Sequence, residues 1–483
     1  MTESKHGAKF GVILSTAGVF GSALLWLLSF KVIAYWLGPE GVGLYSQLRQ
    51  IIQAATIGGT FGGTNLVVQG LSERSDFHDR LRFRATASLL ICFTGVTVSI
   101  LILIFAKELS LFLISSQSPN LVNTIRWLSV AALLSIGTIY VFAVLNGYRA
   151  YQYLALAQIM GPFSLVTVLS GAYYLKLNFH PEFLAILFSL CFGMSFIVGL
   201  YGLWQLREQY SKRFHEYLSR AEVLSFIKFA VSSLVAALSS TIVLLLIRSW
   251  IIESRGLAFA GLFDAIWILT FNYTTLFLTA CSTIYLPLLA GVSLAQNQKV
   301  YILKMAYIVL VSITGVCYLM VLFKTPLIHL LYSSQFDKAG SLLTILVIAV
   351  IFRGISWVYG MLIIASKSSR VLVISDLALN LGLLVTTRFC LERFSSLDSL
   401  GWAFVIPNFI YLIFVVEYAR YKNTLIRRRY IWPLLITSVS PLILFAIGNE
   451  KYLPGWHNST GVFIATGIVV CGMATYSYRK VRL

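Results

Sequence analysis

The chain has 483 residues, of which 58% are hydrophobic and only 11% charged, with a mean hydropathy of +0.83. That balance lies outside the range of soluble domains and excludes a water-soluble enzyme or adaptor. The formal net charge of +19 is spread between apolar runs, so it reads as membrane topology plus attraction to anionic headgroups, not as a nucleic-acid surface.

A helix needs ~20 apolar residues to span a hydrocarbon core of ~30 Å, and the chain repeats such runs between short polar connectors. Fourteen helices are predicted. Six fall at 10–37, 43–70, 85–106, 121–148, 153–176 and 183–206, and six at 223–252, 259–290, 301–323, 341–365, 371–390 and 399–420. A last pair at 431–449 and 460–478 follows Arg427, Arg428 and Arg429. The first run exceeds the ~7–15 residues of a signal-peptide core and is expected to be a retained helix. Counting connectors in alternation places 24 of the 37 Lys and Arg on the side of both termini, which the positive-inside rule makes cytoplasmic.

The expected fold class is therefore all-α, a polytopic membrane protein of about 14 transmembrane helices. Two six-helix lobes, 1–210 and 223–425, flank a cytoplasmic linker at 211–222, and extra helices 13 and 14 occupy 426–483. The two halves open alike. Gly38-Pro39-Glu40-Gly41-Val42-Gly43-Leu44 after helix 1 corresponds to Gly256-Leu257-Ala258-Phe259-Ala260-Gly261-Leu262 after helix 7, each a tight outside turn. Parallel duplication of this kind is a common transporter plan. The last helix pair either flanks a groove for a hydrophobic tail or packs on one lobe.

Several chemistries are not encoded. The dipeptide Gly-Lys does not occur, so no phosphate loop for ATP is present and transport would be gradient-driven or downhill. The six histidines are scattered without metal-ligand spacing, and the six cysteines are isolated in or near apolar runs. The outside loops are too short for a glycan polymerase. No catalytic residue, cofactor or metal is expected.

Six cations fall within the predicted helices: Lys31, Arg49, Arg126, Arg248, Arg353 and Arg388. Arg353 is about twelve residues from the outer end, too deep to snorkel, and an Arg at mid-membrane costs at least ~3 kcal/mol on insertion scales. Such a residue faces a partner or a polar cavity. Lys31 and Arg49 are about six residues in, roughly 9 Å, whereas Arg126, Arg248 and Arg388 are shallower. The candidate substrate-binding set is Arg49, Arg248, Arg353, Lys31 and Arg126, drawn from both halves. Cations on both walls suit an anionic cargo, because guanidinium binds phosphate oxygens in bidentate fashion. Asp264 is the acidic counterpart, either a gate paired with Arg248 or Arg49 or a local ion pair. Asn65 closes a glycine-rich stretch, Gly58 to Gly63, read as an i, i+4 stripe for close packing or bending, and can offer its amide to sugar hydroxyls.

Leu37-Gly38-Pro39-Glu40-Gly41-Val42-Gly43-Leu44 through Gln47-Leu48-Arg49-Gln50 resembles Wzx-type O-antigen and lipid-linked oligosaccharide flippases. So do Leu145-Asn146-Gly147, Ile247-Arg248, Tyr285-Leu286-Pro287-Leu288-Leu289 and Tyr359-Gly360, in order along helices 1 to 12. These flippases belong to the multidrug, oligosaccharidyl-lipid and polysaccharide exporter superfamily. The resemblance implies alternating access and movement of an undecaprenyl-diphosphate-linked glycan from the cytoplasmic to the periplasmic leaflet of a bacterial inner membrane. It maps the family's cationic cavity most clearly onto Arg49 and Arg248. It also implies membrane lipids, a glycan polymerase and a chain-length regulator as partners, no nucleic acid, and a monomer. The alternatives are a multidrug antiporter of the same superfamily, which calls for acidic residues deep in the first lobe, and a membrane-embedded polymerase.

Overall fold

The computed structural model describes residues 5–74, 76–206, 220–290, 295–366, 368–422, 432–447 and 472. Within them the chain forms helices joined by short turns and contains no strand. Eleven described helices are long and apolar enough to cross a membrane. Many of their outward side chains are large and apolar, among them Phe93, Ile197, Ile374 and Ile410, each more than 60% exposed, which only a hydrocarbon surrounding makes tolerable. All of the predicted helix 14 but Gly472 and most of the 211–222 linker lie outside the described residues, as do Arg427, Arg428 and Arg429.

The helices predicted at 10–37 and 43–70 are joined more tightly than a loop allows. Helix α1, Lys5–Gly59, consists of two helical segments that meet at a single non-helical residue, Gly38, with φ 62° and ψ −162°. Only glycine takes that conformation readily. Gly38→Ala is expected to cost about 1–3 kcal/mol, read as a lowered unfolding midpoint of the purified protein.

The second segment also ends sooner than the apolar pattern predicts. Phe61 and Gly62 both adopt positive φ (55° and 62°), and a separate short helix α2, Thr64–Glu73, follows. The glycine stripe from Gly58 to Gly63 is therefore a helix end and a turn, not a flat helix face. Helix α3, Phe77–Ile104, starts earlier than predicted because the Asp76 carboxylate accepts from the backbone N–H of His78 and Asp79, at 3.0 and 3.1 Å. A short α4, Ala106–Ile114, precedes α5, Pro119–Gly147, α6, Tyr151–Tyr174, and α7, Pro181–Gln205. Pro119 and Pro181 open their helices, where the missing N–H has no intrahelical partner to lose.

Helix α8, Arg220–Arg255, is followed by α9, Leu257–Trp267, a π-helical turn at Ile268–Asn272, and α10, Tyr273–Ala290. Then come α11, Ala295–Leu322, the short α12, Lys324–Leu331, a 3-10 turn at Ser334–Ala339, and α13, Gly340–Ala365. Helices α14, Ser369–Arg393, α15, Leu397–Lys422, and α16, Trp432–Ile447, complete the described chain.

The duplication read from one motif extends through whole helices. Helices α3 and α11 end 218 residues apart (322 − 104), and Gly38 and Gly256, both at positive φ, share that offset. So do the ends of α5 and α13 and the starts of α6 and α14.

The chain divides into compact units Met1–Gly261 and Leu262–Leu483. The division lies beyond the predicted linker because α8 packs on α1, α3 and α4 inside the first unit. There the repeated turns meet. A Cβ on Gly43 would overlap the carbonyl oxygen of Leu257, and one on Gly261 would overlap that of Pro39. Gly43 and Gly261 occupy equivalent positions in the two turns, so the contact is reciprocal. In the second unit the hub is α13, buried along almost its whole length and packed against α10, α11, α14, α15 and α16.

Candidate functional site

In the first unit a polar cluster forms where the second segment of α1 meets α8 and α4. The Arg248 guanidinium on α8 donates through Nη1 to Gln50 Oε1 at 2.5 Å, and Gln50 Nε2 donates to the carbonyl of Thr241 at 3.2 Å. One helical turn away, Gln47 Nε2 donates to the Leu113 carbonyl at 2.8 Å, while the Ser249 hydroxyl donates to the Phe112 carbonyl. The last carbonyls of α4 have no intrahelical donors, and side chains of α1 and α8 supply them. Arg248 is thus a buried, 4% exposed strut of the packing. Removing its acceptor should be costly: Gln50→Leu is expected to lower stability by about 1.5–3 kcal/mol, with Gln50→Glu retaining it, measured by thermal unfolding in detergent.

Arg49 points elsewhere. It is half-buried, and its guanidinium lies over the Trp26 ring, 4.8 Å from the centroid, bridging the two segments of α1. Lys31 is half-buried on the first segment. The structure does not bring Arg126 and Asn65 to this cluster. Arg126 is exposed and bonds Asn123 on its own helix at 3.3 Å, and Asn65 is exposed on the first turn of α2, beyond the unforeseen break at Phe61 and Gly62.

The second unit carries its own arrangement. Arg353, half-buried on α13, lies over the Tyr411 ring of α15 at 5.3 Å, and the Tyr411 hydroxyl donates to Asp376 Oδ1 of α14 at 2.9 Å. Arg353 Nη1 is buried without a hydrogen-bond partner among the described residues. The cation is therefore held by a π face, and the nearby carboxylate is engaged by the phenol. Asp264, on α9, is wholly buried. Arg388 is exposed and paired with Glu392 at 2.7 Å, as suits a cation at the helix end.

Sequence reasoning missed Gln47, Gln50 and Ser249. Two amides three residues apart in an apolar run share one helix face, a signal that was present but outweighed by Arg49 between them. It also missed Arg84, buried on α3 with its guanidinium 5.8 Å from the Tyr148 ring, because that helix was expected to begin at residue 85.

A family profile described as "Polysaccharide biosynthesis protein" matches residues 9–293. No curated protein sequence shows significant similarity to the chain. Among solved structures, it is similar to the lipid II flippase MurJ in an inward closed conformation, at 13% identity and TM-score 0.66, covering 98% of this chain and 100% of that one. It is also similar to a MOP superfamily transporter from Pyrococcus furiosus, at 17% identity and TM-score 0.64, covering 85% and 94%. A multidrug resistance MATE family transporter of the MOP superfamily in an outward-facing conformation aligns at 16% identity and TM-score 0.62, covering 86% and 95%. The fold is that of MOP superfamily transporters.

Proposed function

Because the chain belongs to the polysaccharide biosynthesis protein family, its helices building a MOP transporter fold, we propose that it is a flippase for a lipid-linked oligosaccharide. The cargo is an undecaprenyl-diphosphate-linked glycan repeat such as an O-antigen unit. It moves from the cytoplasmic to the periplasmic leaflet of a bacterial inner membrane by alternating access, with both termini of the protein in the cytoplasm. A glycan polymerase and a chain-length regulator would act on the delivered product, and the flippase works as a monomer.

One observation carries the reading. Arg49 and Arg353 are guanidinium groups within apolar spans, held by the rings of Trp26 and Tyr411, and neither forms an ion pair among the described residues. Their positive charge is left for a ligand. A diphosphate is the anion that such a lipid presents, and planar guanidinium groups match its oxygens. A multidrug antiporter for cationic drugs would instead need carboxylates deep in the first helices. Among the described residues before 207 the acidic side chains stand at helix ends and turns: Glu40, Glu73, Asp76, Asp79, Glu108 and Glu182.

The deciding experiment is leaflet-resolved transport in proteoliposomes with a fluorescent undecaprenyl-diphosphate disaccharide. Protein-dependent movement supports the reading. Movement of cationic dyes without movement of the lipid overturns it.

A further inference from the structure

The second unit contains a cavity of about 190 Å³ between α10, α11 and α13, directly after the π-helical turn. Its wall is almost entirely carbon and includes Thr270, Thr274, Phe277, Ile313, Val316 and Val350. The hydroxyls of Thr270 and Thr274 are turned back to the carbonyls of Ile266 and Thr270, each at 2.7 Å, so these residues present methyl groups. Phe277 and Val316, 37% and 48% exposed, stand at the mouth. An apolar cavity of ~150 Å³ stays dry and takes a ligand as large as benzene, so this one suits hydrocarbon and not water.

The internal repeat supplies a control. At the 218-residue offset, Gly59, Gly95 and Ile136 of the first half correspond to Phe277, Ile313 and Gly354 of the second. In the first half Ile136 packs onto both glycines and fills the junction of α1, α3 and α5 at the C-terminal end of α1. In the second half the sizes are exchanged: a Cβ on Gly354 would overlap Ile313. The exchange does not refill the space, and the π-helical turn, a wider coil often found at functional sites, stands beside it. The void therefore lies where, in the first half, Ile136 occupies the equivalent junction.

We propose that this cavity receives the first isoprene units of the prenyl chain, next to the diphosphate, an inference that rests on the flippase reading above. Val350 in its wall and Arg353 are three residues apart on α13, about 5–6 Å between side-chain bases. A cation one turn from a carbon-walled recess fits an amphiphile whose hydrocarbon begins at the phosphate ester oxygen. A prenyl phosphate has that structure. A phospholipid places glycerol and two ester carbonyls between phosphate and chain, and the wall offers those carbonyls little to bond.

The test is photolabelling of the full-length protein in phosphatidylglycerol nanodiscs. One probe is a polyprenyl phosphate with a diazirine on its first isoprene unit, and the other a phosphatidylglycerol with a diazirine in its acyl chain. The prenyl probe is expected to label peptides within residues 270–320, and Val350→Phe, which fills the void, to reduce that labelling at least fivefold without lowering the unfolding midpoint. Thr274→Phe fills the same space from α10 and replaces Val350→Phe if that variant does not fold. Labelling that survives both substitutions overturns the proposal, as does equal labelling of these peptides by the phospholipid probe. Transport of the glycan lipid by the wild-type protein is scored separately, so a flippase whose cavity holds no prenyl chain is told apart from a prenyl-binding protein that does not flip.

Discussion

Replacing Arg353 with alanine is expected to slow glycan-lipid transport by about 30- to 100-fold, while leaving the unfolding midpoint unchanged or raised. The rate loss follows from removing a charge-assisted contact to phosphate in a low-dielectric span, worth about 2–3 kcal/mol. The stability follows from the same residue's surroundings. Arg353 is half-buried, its Nη1 lacks a hydrogen bond, and an aromatic ring is its described partner. Its removal therefore relieves desolvation and leaves no carboxylate stranded, since Asp376 keeps the Tyr411 hydroxyl. Arg353→Lys keeps the charge but loses the planar fork, and should fall between the two. Initial transport rates in proteoliposomes decide the matter: a rate for Arg353→Ala within threefold of wild type would remove Arg353 from the mechanism.

Gly261→Val should be the most disruptive single substitution in the first unit, with a loss of more than about 3 kcal/mol or failure to accumulate as folded protein. A side chain there meets the backbone oxygen of Pro39 and lies close to the N–H of Gly43, 2.9 Å from its nitrogen, and a backbone cannot rotate aside as a side chain can. Gly43→Val should behave alike, because it meets Leu257 in the reciprocal contact. Gly171→Ala serves as the control. Nothing lies within 4 Å of its added methyl, and replacing a glycine in the last turn of α6 should stabilise by up to about 0.5–1 kcal/mol. Equal unfolding midpoints for Gly261→Val and Gly171→Ala would show that the turns do not pack as described.

The repeat at Gly38 and Gly256 was legible because glycine carries a backbone signal that depends on its immediate neighbours alone. The break at Phe61 was not, since a phenylalanine at positive φ has no local signature and the hydropathy runs on through it. Arg353 was conspicuous through its depth in an apolar run. Its partner was hidden, because Tyr411 is 58 residues away and only the packing of α13 on α15 brings the ring beneath it. Arg248 was drawn from the same list of cations, yet it is buried and bonded to Gln50, whereas Arg49 and Arg353 rest on rings. Depth alone does not separate these cases.

By itself the sequence determined the all-helical membrane fold, its duplicated plan and the turns at Gly38 and Gly256. Each of these follows from helix rise against bilayer thickness or from the stereochemistry of one residue, both properties of a short window of chain. Only the tertiary structure decided which charges are struts and which are held on aromatic faces, that Gly43 and Gly261 interlock, and that the second unit keeps a cavity where the first is filled by Ile136. Those outcomes depend on side chains from distant helices sharing one volume, and no local window contains that information.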